Sequence, residues 1–110
     1  MKLITSVLTK DEIADLSKTY GDYVKITADI ENKAVVVGVE LHADAEAMLL
    51  EKGGKINDLW GGGINFVTKQ IDATAVYNIR PILKNDSLEI LDPTIRKKFI
   101  ELVKLFFKNI

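Results

Sequence analysis

The chain has 110 residues, of which 47% are hydrophobic and 28% charged, as expected for one globular domain over residues 1–110. Its 15 basic and 16 acidic residues give a formal charge of −1, without the basic excess typical of nucleic-acid binders. The absence of cysteine excludes disulfides, thiolate nucleophiles and cysteine-ligated zinc. No run reaches the roughly 18 apolar residues of a membrane span, and the apolar start is too short for a secretory signal. We therefore expect a cytoplasmic protein.

A capping box predicts the first helix. Thr9 and Glu12 have the spacing at which the threonine hydroxyl accepts from the glutamate backbone N–H, while the glutamate carboxylate accepts from the threonine N–H. Leu8 and Ile13 are spaced as a hydrophobic staple around this cap. Gly21 is expected to end the helix.

Two strands are predicted next. From Tyr23 the pattern has a period of two, as a half-exposed strand requires. One side carries Val24, Ile26, Ala28 and Ile30, and the exposed side carries Lys25, Thr27 and Asp29. The segment Ala34 to Leu41 is apolar on both sides and rich in valine, which indicates the most buried strand of a sheet. The turn sequence Glu31 to Lys33 separates them, so we expect a hairpin.

The segment Ala43 to Leu50 fits two structures. Asp44 before an alanine-rich run, with Gly53 after it, is typical of a short capped helix. The alternation of His42, Asp44 and Glu46 with alanines is typical of a strand. We favour the strand and keep the helix as the alternative.

A second hairpin is predicted from Ile64 to Val67 and Ile71 to Ile79, joined by Thr68 to Gln70. Pro81 is expected to stop the pairing because proline has no N–H to donate. The segment Leu83 to Leu91 is interpreted as an irregular connection.

Asp92 and Pro93 are expected to open the last helix, as an N-cap and a proline in the first turn. An apolar stripe at helical spacing follows, formed by Ile95, Phe99, Leu102, Val103, Phe106 and Ile110. Further apolar residues widen it: Ile100, Leu105 and Phe107. They predict either deep burial or a homodimer contact. The basic residues lie largely opposite the stripe and are interpreted as a solvated face: Arg96, Lys97, Lys98, Lys104 and Lys108.

These elements predict an α+β domain. It has an N-terminal helix, a mainly antiparallel sheet of four or five strands, and a C-terminal helix packed on the sheet.

Three polar residues of the ambiguous segment are candidates for a site. In a strand, His42, Asp44 and Glu46 project from one side about 6.5 to 7 Å apart, and in a helix His42 and Glu46 still share a face. An imidazole with carboxylates can shuttle a proton or hold a divalent cation. Against this, one histidine cannot complete a recognised zinc motif, and a hydrogen-bonded surface histidine is the competing interpretation.

A second candidate is the stretch from Asn57 to Gly63. Asp58 and Trp60 precede three glycines, whose missing side chains let a ligand or another strand approach the backbone. The run matches no phosphate-binding loop. For Trp60 the competing interpretation is packing in the core.

Asn78 and Arg80 form a third candidate, since both emerge on one side of a strand end before Pro81. The guanidinium could clamp a carboxylate or phosphate. The competing interpretation is an internal brace, in which Arg80 pairs with Asp58, Asp44 or Glu46.

Four blocks carry a resemblance to a known family: E-L-H-A-D-A-E (Glu40 to Glu46), D-L-W-G (Asp58 to Gly61), N-I-R-P (Asn78 to Pro81) and D-P-T-I-R (Asp92 to Arg96). In this order, from about Tyr20 to the C-terminus, the chain resembles a family of small prokaryotic proteins of unknown function. The resemblance implies no reaction. It nominates His42, Asp44, Glu46, Asp58, Trp60, Asn78, Arg80 and Arg96.

We therefore expect a small intracellular domain that binds a polar or anionic ligand or a protein partner. Its ligand-binding candidates are Asp44, Glu46, Trp60 and Asn78. The alternative is a hydrolase, possibly metal-assisted, with His42 as general base, Asp58 or Glu46 orienting it or holding a metal, and Arg80 stabilising negative charge. A second alternative is assembly through the C-terminal helix. The sequence assigns no particular cofactor or metal.

Overall fold

The structure, a computed structural model, describes residues 1–38 and 42–110. It confirms the α+β class over these ranges, with three helices and an antiparallel sheet of five strands. The strands are β1 (Lys2–Ile4), β2 (Tyr23–Asp29), β3 (Ala34–Val37), β4 (Leu59–Asn65) and β5 (Ile71–Asp72). The helices are α1 (Lys10–Tyr20), α2 (His42–Glu51) and α3 (Pro93–Phe106). Short 3-10 turns occupy Ile56–Asp58, Val76–Asn78 and Pro81–Leu83.

The order of strands in the sheet is β1-β3-β2-β4-β5, and each neighbouring pair is antiparallel. The predicted hairpin of β2 and β3 is confirmed, with Ile26 opposite Val37 and Asp29 opposite Ala34. Along its other edge β2 pairs with the whole of β4. The strand β1, which the sequence analysis did not predict, covers the outer edge of β3.

Both terminal helices begin at their predicted caps. The Thr9 hydroxyl accepts a hydrogen bond from the Glu12 N–H at 3.1 Å, and the Glu12 carboxylate accepts one from the Thr9 N–H at 3.0 Å. Asp92 accepts from the backbone N–H groups of Thr94 and Ile95. These bonds satisfy donors that have no partner inside the helix.

The strand favoured for Ala43 to Leu50 is wrong, because this segment lies in the helix α2. Alanine has the highest helix propensity, and a helix places Ala45 and Leu49 on one face, where both are buried. The alternation of His42, Asp44 and Glu46 with alanines is therefore part of a helix and not the pattern of a strand. Of the strand predicted for Ala34 to Leu41, the structure describes β3 and Gly38, and the last three residues lie outside the described residues.

The second predicted hairpin is confirmed in its position but not in its length. The strand β4 begins at Leu59 and passes through all three glycines, five residues before the predicted start at Ile64. The strand β5 ends at Asp72, well before the predicted end at Ile79. Beyond Asp72 the chain continues irregularly along the edge of β4, and side chains rather than a strand pair with that edge.

The sheet is covered on both faces. On the first face, called the α3 face, α1 and α3 pack against apolar residues of all the long strands, with Ile26 and Phe99 fully buried. On the second, called the α2 face, a smaller cluster consists of Ala34, Val36, Ala45, Leu49 and Leu59. Because β3 contributes to both clusters, it is the doubly buried strand that the sequence predicted.

Within the described residues, no helix combines the length and the apolar character that crossing a membrane would require.

Candidate functional site

Asn78 pairs with β4 beyond the end of β5. Its side chain is fully buried. Its Oδ1 accepts from the Gly61 N–H at 2.8 Å, and its Nδ2 donates to the Gly61 carbonyl at 2.9 Å. The same amide reaches the carbonyls of Ala73 and Leu88. Asn78, a predicted ligand-binding residue, thus has its hydrogen-bonding capacity taken up by the backbone.

Arg80 continues this pairing one step further along β4. Its guanidinium donates to the carbonyls of Leu59 and, at 2.8 Å, Ile56. The group lies 4.4 Å from the ring centroid of Trp60 and 4.8 Å from that of Tyr77. In the described part of the chain no carboxylate forms an ion pair with Arg80. Arg80 therefore braces the fold through backbone carbonyls and aromatic rings, and not through the predicted ion pair with Asp58, Asp44 or Glu46.

Tyr77 brings three of the predicted residues together. Its hydroxyl donates to the Glu46 carboxylate at 2.9 Å, and its ring stacks on His42 with centroids 5.3 Å apart. Arg80 lies over the same ring. Burial, with the bond to Glu46, raises the pKa of Tyr77 well above its ordinary value. Tyr77 is therefore a neutral donor that ties α2 to the segment after β5.

Beside this cluster lies a small cleft, called the His42 cleft, with a volume of about 80 Å³. Its lining residues are Tyr23, Lys25, His42, Gly62, Thr74, Ala75 and Val76. The Nδ1 atom of His42 is shielded from solvent and has no hydrogen-bond partner among residues 1–38 and 42–110. Burial, and then the charge of Lys25, lower the pKa of His42. The imidazole is therefore held toward its neutral form.

Tyr23 and Gly62 line this cleft, and the glycines of β4 pack closely against neighbouring groups. A Cβ on Gly62 would collide with the Asp72 carbonyl and come within 2.7 Å of the Phe99 ring. A Cβ on Gly63 would collide with the ring of Tyr23. The Tyr23 hydroxyl in turn donates to the Asp72 carboxylate at 2.8 Å. The glycine run thus serves close packing on both faces of the sheet.

Two other predicted residues, Asp44 and Asp58, lie outside this cluster, and Trp60 contacts it through Arg80. Asp44 is exposed in the first turn of α2. Asp58 accepts through its backbone carbonyl from the Ile30 N–H. Trp60 is buried in the cluster of the α3 face, as the core-packing interpretation holds. In the ranges that the structure covers, no group of three histidine, cysteine or acidic side chains is arranged to hold a metal.

The site contains three residues that were not predicted from the sequence: Tyr77, Tyr23 and Lys25. Lys25 was assigned to the exposed side of a half-buried strand, but α2 covers part of that side. The structure shows that this side is covered, because Thr27 and Asp29, at the same alternating positions as Lys25, are both buried. For Tyr77 the sequence offers no comparable pattern, because it lies in a 3-10 turn.

The fold and the site define a class of protein: a small α+β domain in which an antiparallel sheet lies between helices, with a polar cleft at the start of α2. Comparison with protein families assigns the chain to a particular family. The model of a family described as "Protein of unknown function (DUF5674)" matches residues 2–106, so the chain belongs to that family. The predicted membership in a family of unknown function is confirmed. Neither the curated proteins nor the solved structures gave a match.

Proposed function

We propose that this protein binds a small anionic group in the His42 cleft. The observation that carries the proposal is the composition of the lining among residues 1–38 and 42–110. It includes the cation of Lys25 and an imidazole with a shielded nitrogen that has no partner in these ranges, and it includes no acidic side chain from them. Thr74 adds a hydroxyl donor to the same lining. An anion would therefore meet several donors and one positive charge.

The size of the cleft limits what it can hold. A water molecule takes up about 30 Å³ in the liquid, so a cleft of about 80 Å³ suits a carboxylate, phosphate or sulfate group rather than a whole metabolite. The helix α2 begins at His42, and the positive end of a helix dipole favours negative charge nearby. The rest of a larger ligand would extend over the adjoining surface near Tyr23.

Lys25 takes the anion-binding role that the sequence assigned to Arg80, whose Nη1 and Nη2 groups donate to backbone carbonyls. The hydrolase alternative needs His42 next to a carboxylate that orients it. The nearby carboxylate of Glu46 accepts from Tyr77 instead, and His42 meets the face of the Tyr77 ring. This geometry favours binding over general-base catalysis. A cytoplasmic location remains part of the proposal.

Thermal melting with inorganic phosphate, sulfate and acetate tests the proposal on the full chain. A ligand at 100 times its Kd adds about 2.7 kcal/mol to the free energy of unfolding, so at least one of these anions should raise the melting temperature. The shift should be lost in Lys25→Met and reduced in His42→Phe, which keeps a ring against Tyr77. The control Lys18→Met removes an exposed lysine of α1 and should retain the shift. No shift with any anion, or equal shifts in Lys25→Met and Lys18→Met, would refute the proposal.

A further inference from the structure

The outer side of α3 carries a concentration of positive charge. Between Pro93 and the C-terminus the sequence has five basic residues and one acidic residue, Glu101. The rest of the chain consequently has 10 basic and 15 acidic residues. The protein is thus strongly asymmetric in charge although its net charge is near zero, and such asymmetry orients the approach of charged partners.

Apolar grooves flank this basic surface. The first, of about 370 Å³, is lined by Ile30, Glu31, Lys33, Lys98, Glu101, Leu102 and Leu105. The second, also of about 370 Å³, is lined by Pro93, Arg96, Lys97, Ile100, Glu101 and Lys104. Because Glu101 lines both grooves, they adjoin along one surface, which we call the α3 surface. Leu105 remains 46% exposed there.

Charge complementarity selects the occupant of this surface. A second copy of the chain, with its own α3 laid against this one, would bring two strongly basic surfaces together, and such like-charge pairing is unfavourable. A nucleic acid would satisfy the cations but has no aliphatic side chain for the apolar residues of the grooves. An acidic protein segment with apolar side chains satisfies both the charge and the apolar floors.

We propose that the α3 surface is a docking site for an acidic, amphipathic segment of a partner protein. Apolar side chains of the segment enter the grooves beside Leu105 and Ile100, and its carboxylates pair with Lys104 and Lys97. This is recognition of an amphipathic segment in a groove, in which spaced apolar anchors give specificity and charge gives orientation. The existing ion pair of Lys97 with Glu101, at 3.9 Å between exposed side chains, is weak enough to be exchanged. The surface lies on the opposite side of the sheet from the His42 cleft, so the two proposals stand independently.

The test is a selection of displayed random 16-residue peptides that bind the folded 110-residue chain. The binding of synthetic copies of the enriched peptides is then measured by fluorescence anisotropy. The enriched peptides should be acidic and carry apolar residues three or four positions apart. Binding should weaken at least about tenfold in Lys97→Glu/Lys104→Glu and in Leu105→Ser, and should weaken as salt rises. The control Lys18→Glu/Lys52→Glu reverses the charge of two exposed lysines, one in α1 and one directly after α2. It should bind the peptides as wild type does.

Other results would overturn this proposal. Enriched peptides that are neutral or basic, or that bind Lys97→Glu/Lys104→Glu as tightly as wild type, would show that α3 is not the docking surface. Tighter binding of a single-stranded oligonucleotide than of any peptide would assign the surface to nucleic acid. Self-association in light scattering that disappears in Leu105→Ser would assign it to a second copy, as the predicted homodimer requires.

Discussion

Beyond the end of β5, the side chains of Asn78 and Arg80 form the hydrogen bonds to the β4 backbone that a longer β5 would form. The outward backbone groups of β4 are paired by β5 at Gly63, by the Asn78 amide at Gly61 and by Arg80 at Leu59. A buried backbone donor or acceptor without a partner costs about 1–3 kcal/mol. This cost explains why two polar side chains, which in sequence looked like ligand contacts, are used inside the fold.

Replacing Asn78 by alanine should lower the free energy of unfolding by roughly 3 kcal/mol, because the Gly61 N–H and three carbonyls lose their partner together. Denaturation in urea measures this loss. Asn57→Ala is the matched control, since Asn57 is exposed, and it should change stability by less than about 0.5 kcal/mol. Comparable losses in both variants would mean that Asn78 does not carry the pairing described here.

His42 should make stability depend on pH. Its pKa in the folded protein lies below the ordinary value of 6.5 because burial, and then Lys25, disfavour the charged imidazole. Above about pH 6.5 the folded and unfolded states are both neutral at this residue, so its contribution to stability is fully present. As the pH falls through the folded-state pKa, the unfolded chain already holds the proton, and this contribution is lost.

In His42→Phe this pH dependence should disappear, so the difference in unfolding free energy between wild type and variant should change between pH 8 and pH 5. Since the chain has one histidine, the ring signals in an NMR titration report its pKa without ambiguity. Lys25→Met should move that pKa upward toward the ordinary value. A pKa for His42 at or above 6.5 in wild type would contradict the buried environment described for the ring.

At the scale of elements, the glycine run allows β4 to be packed on both faces. The α3 face brings the ring of Phe99 over Gly62, while the α2 face places Tyr23 over Gly63. Because Gly62 also faces the Asp72 carbonyl, a side chain there would have to displace backbone. At Gly63 the obstacle is the end of an exposed tyrosine, which can rotate away.

Gly62→Ala should therefore destabilise the protein by about 2 kcal/mol, within the range seen for overpacked cores. Gly63→Ala should cost less, and its clearest effect should be loss of the Tyr23 contact with Asp72. Thermal melting of both variants measures the order of the two effects. A larger loss for Gly63→Ala than for Gly62→Ala would contradict the packing inferred for β4.

At the scale of the whole molecule, the two clusters share the middle of the sheet. The strand β3 contributes Val35 to the cluster of the α3 face and Val36 to that of the α2 face, and both residues are fully buried. Because β3 is buried on both faces, removal of the helices from either face would expose buried residues of this strand. Residues 1–110 are therefore expected to unfold as one cooperative unit.

Unfolding followed by Trp60 fluorescence should coincide with unfolding followed by far-ultraviolet circular dichroism. Trp60 is the chain's one tryptophan and is buried in the cluster of the α3 face, whereas circular dichroism reports all three helices. Because the clusters share β3, both probes should give the same midpoint in urea. Loss of helical signal before the fluorescence change would indicate that α2 separates from the sheet independently.

Local sequence determined the parts of this protein that depend on near neighbours. The caps at Thr9 and Asp92 were predicted correctly because their partners lie within three residues. The apolar stripe of α3 and the hairpin of β2 and β3 depend on periodicity and a short turn, which the sequence also displays. Membership in a family of unknown function was likewise predicted from the sequence, and the family match over residues 2–106 confirms it.

Only the tertiary structure decided what the polar residues do. Asn78 and Arg80 carry the same chemistry in a ligand site as in a brace, and the choice depended on β5 ending at Asp72, which left the Gly61 and Leu59 backbone unpaired. The helix α2 was misassigned because helical and extended backbones both place His42 and Glu46 on a common side, and the burial of its apolar face depended on distant strands. Contacts between residues far apart in sequence carry no local periodicity, so Tyr77 could be found at the centre of the cluster only once the chain was folded.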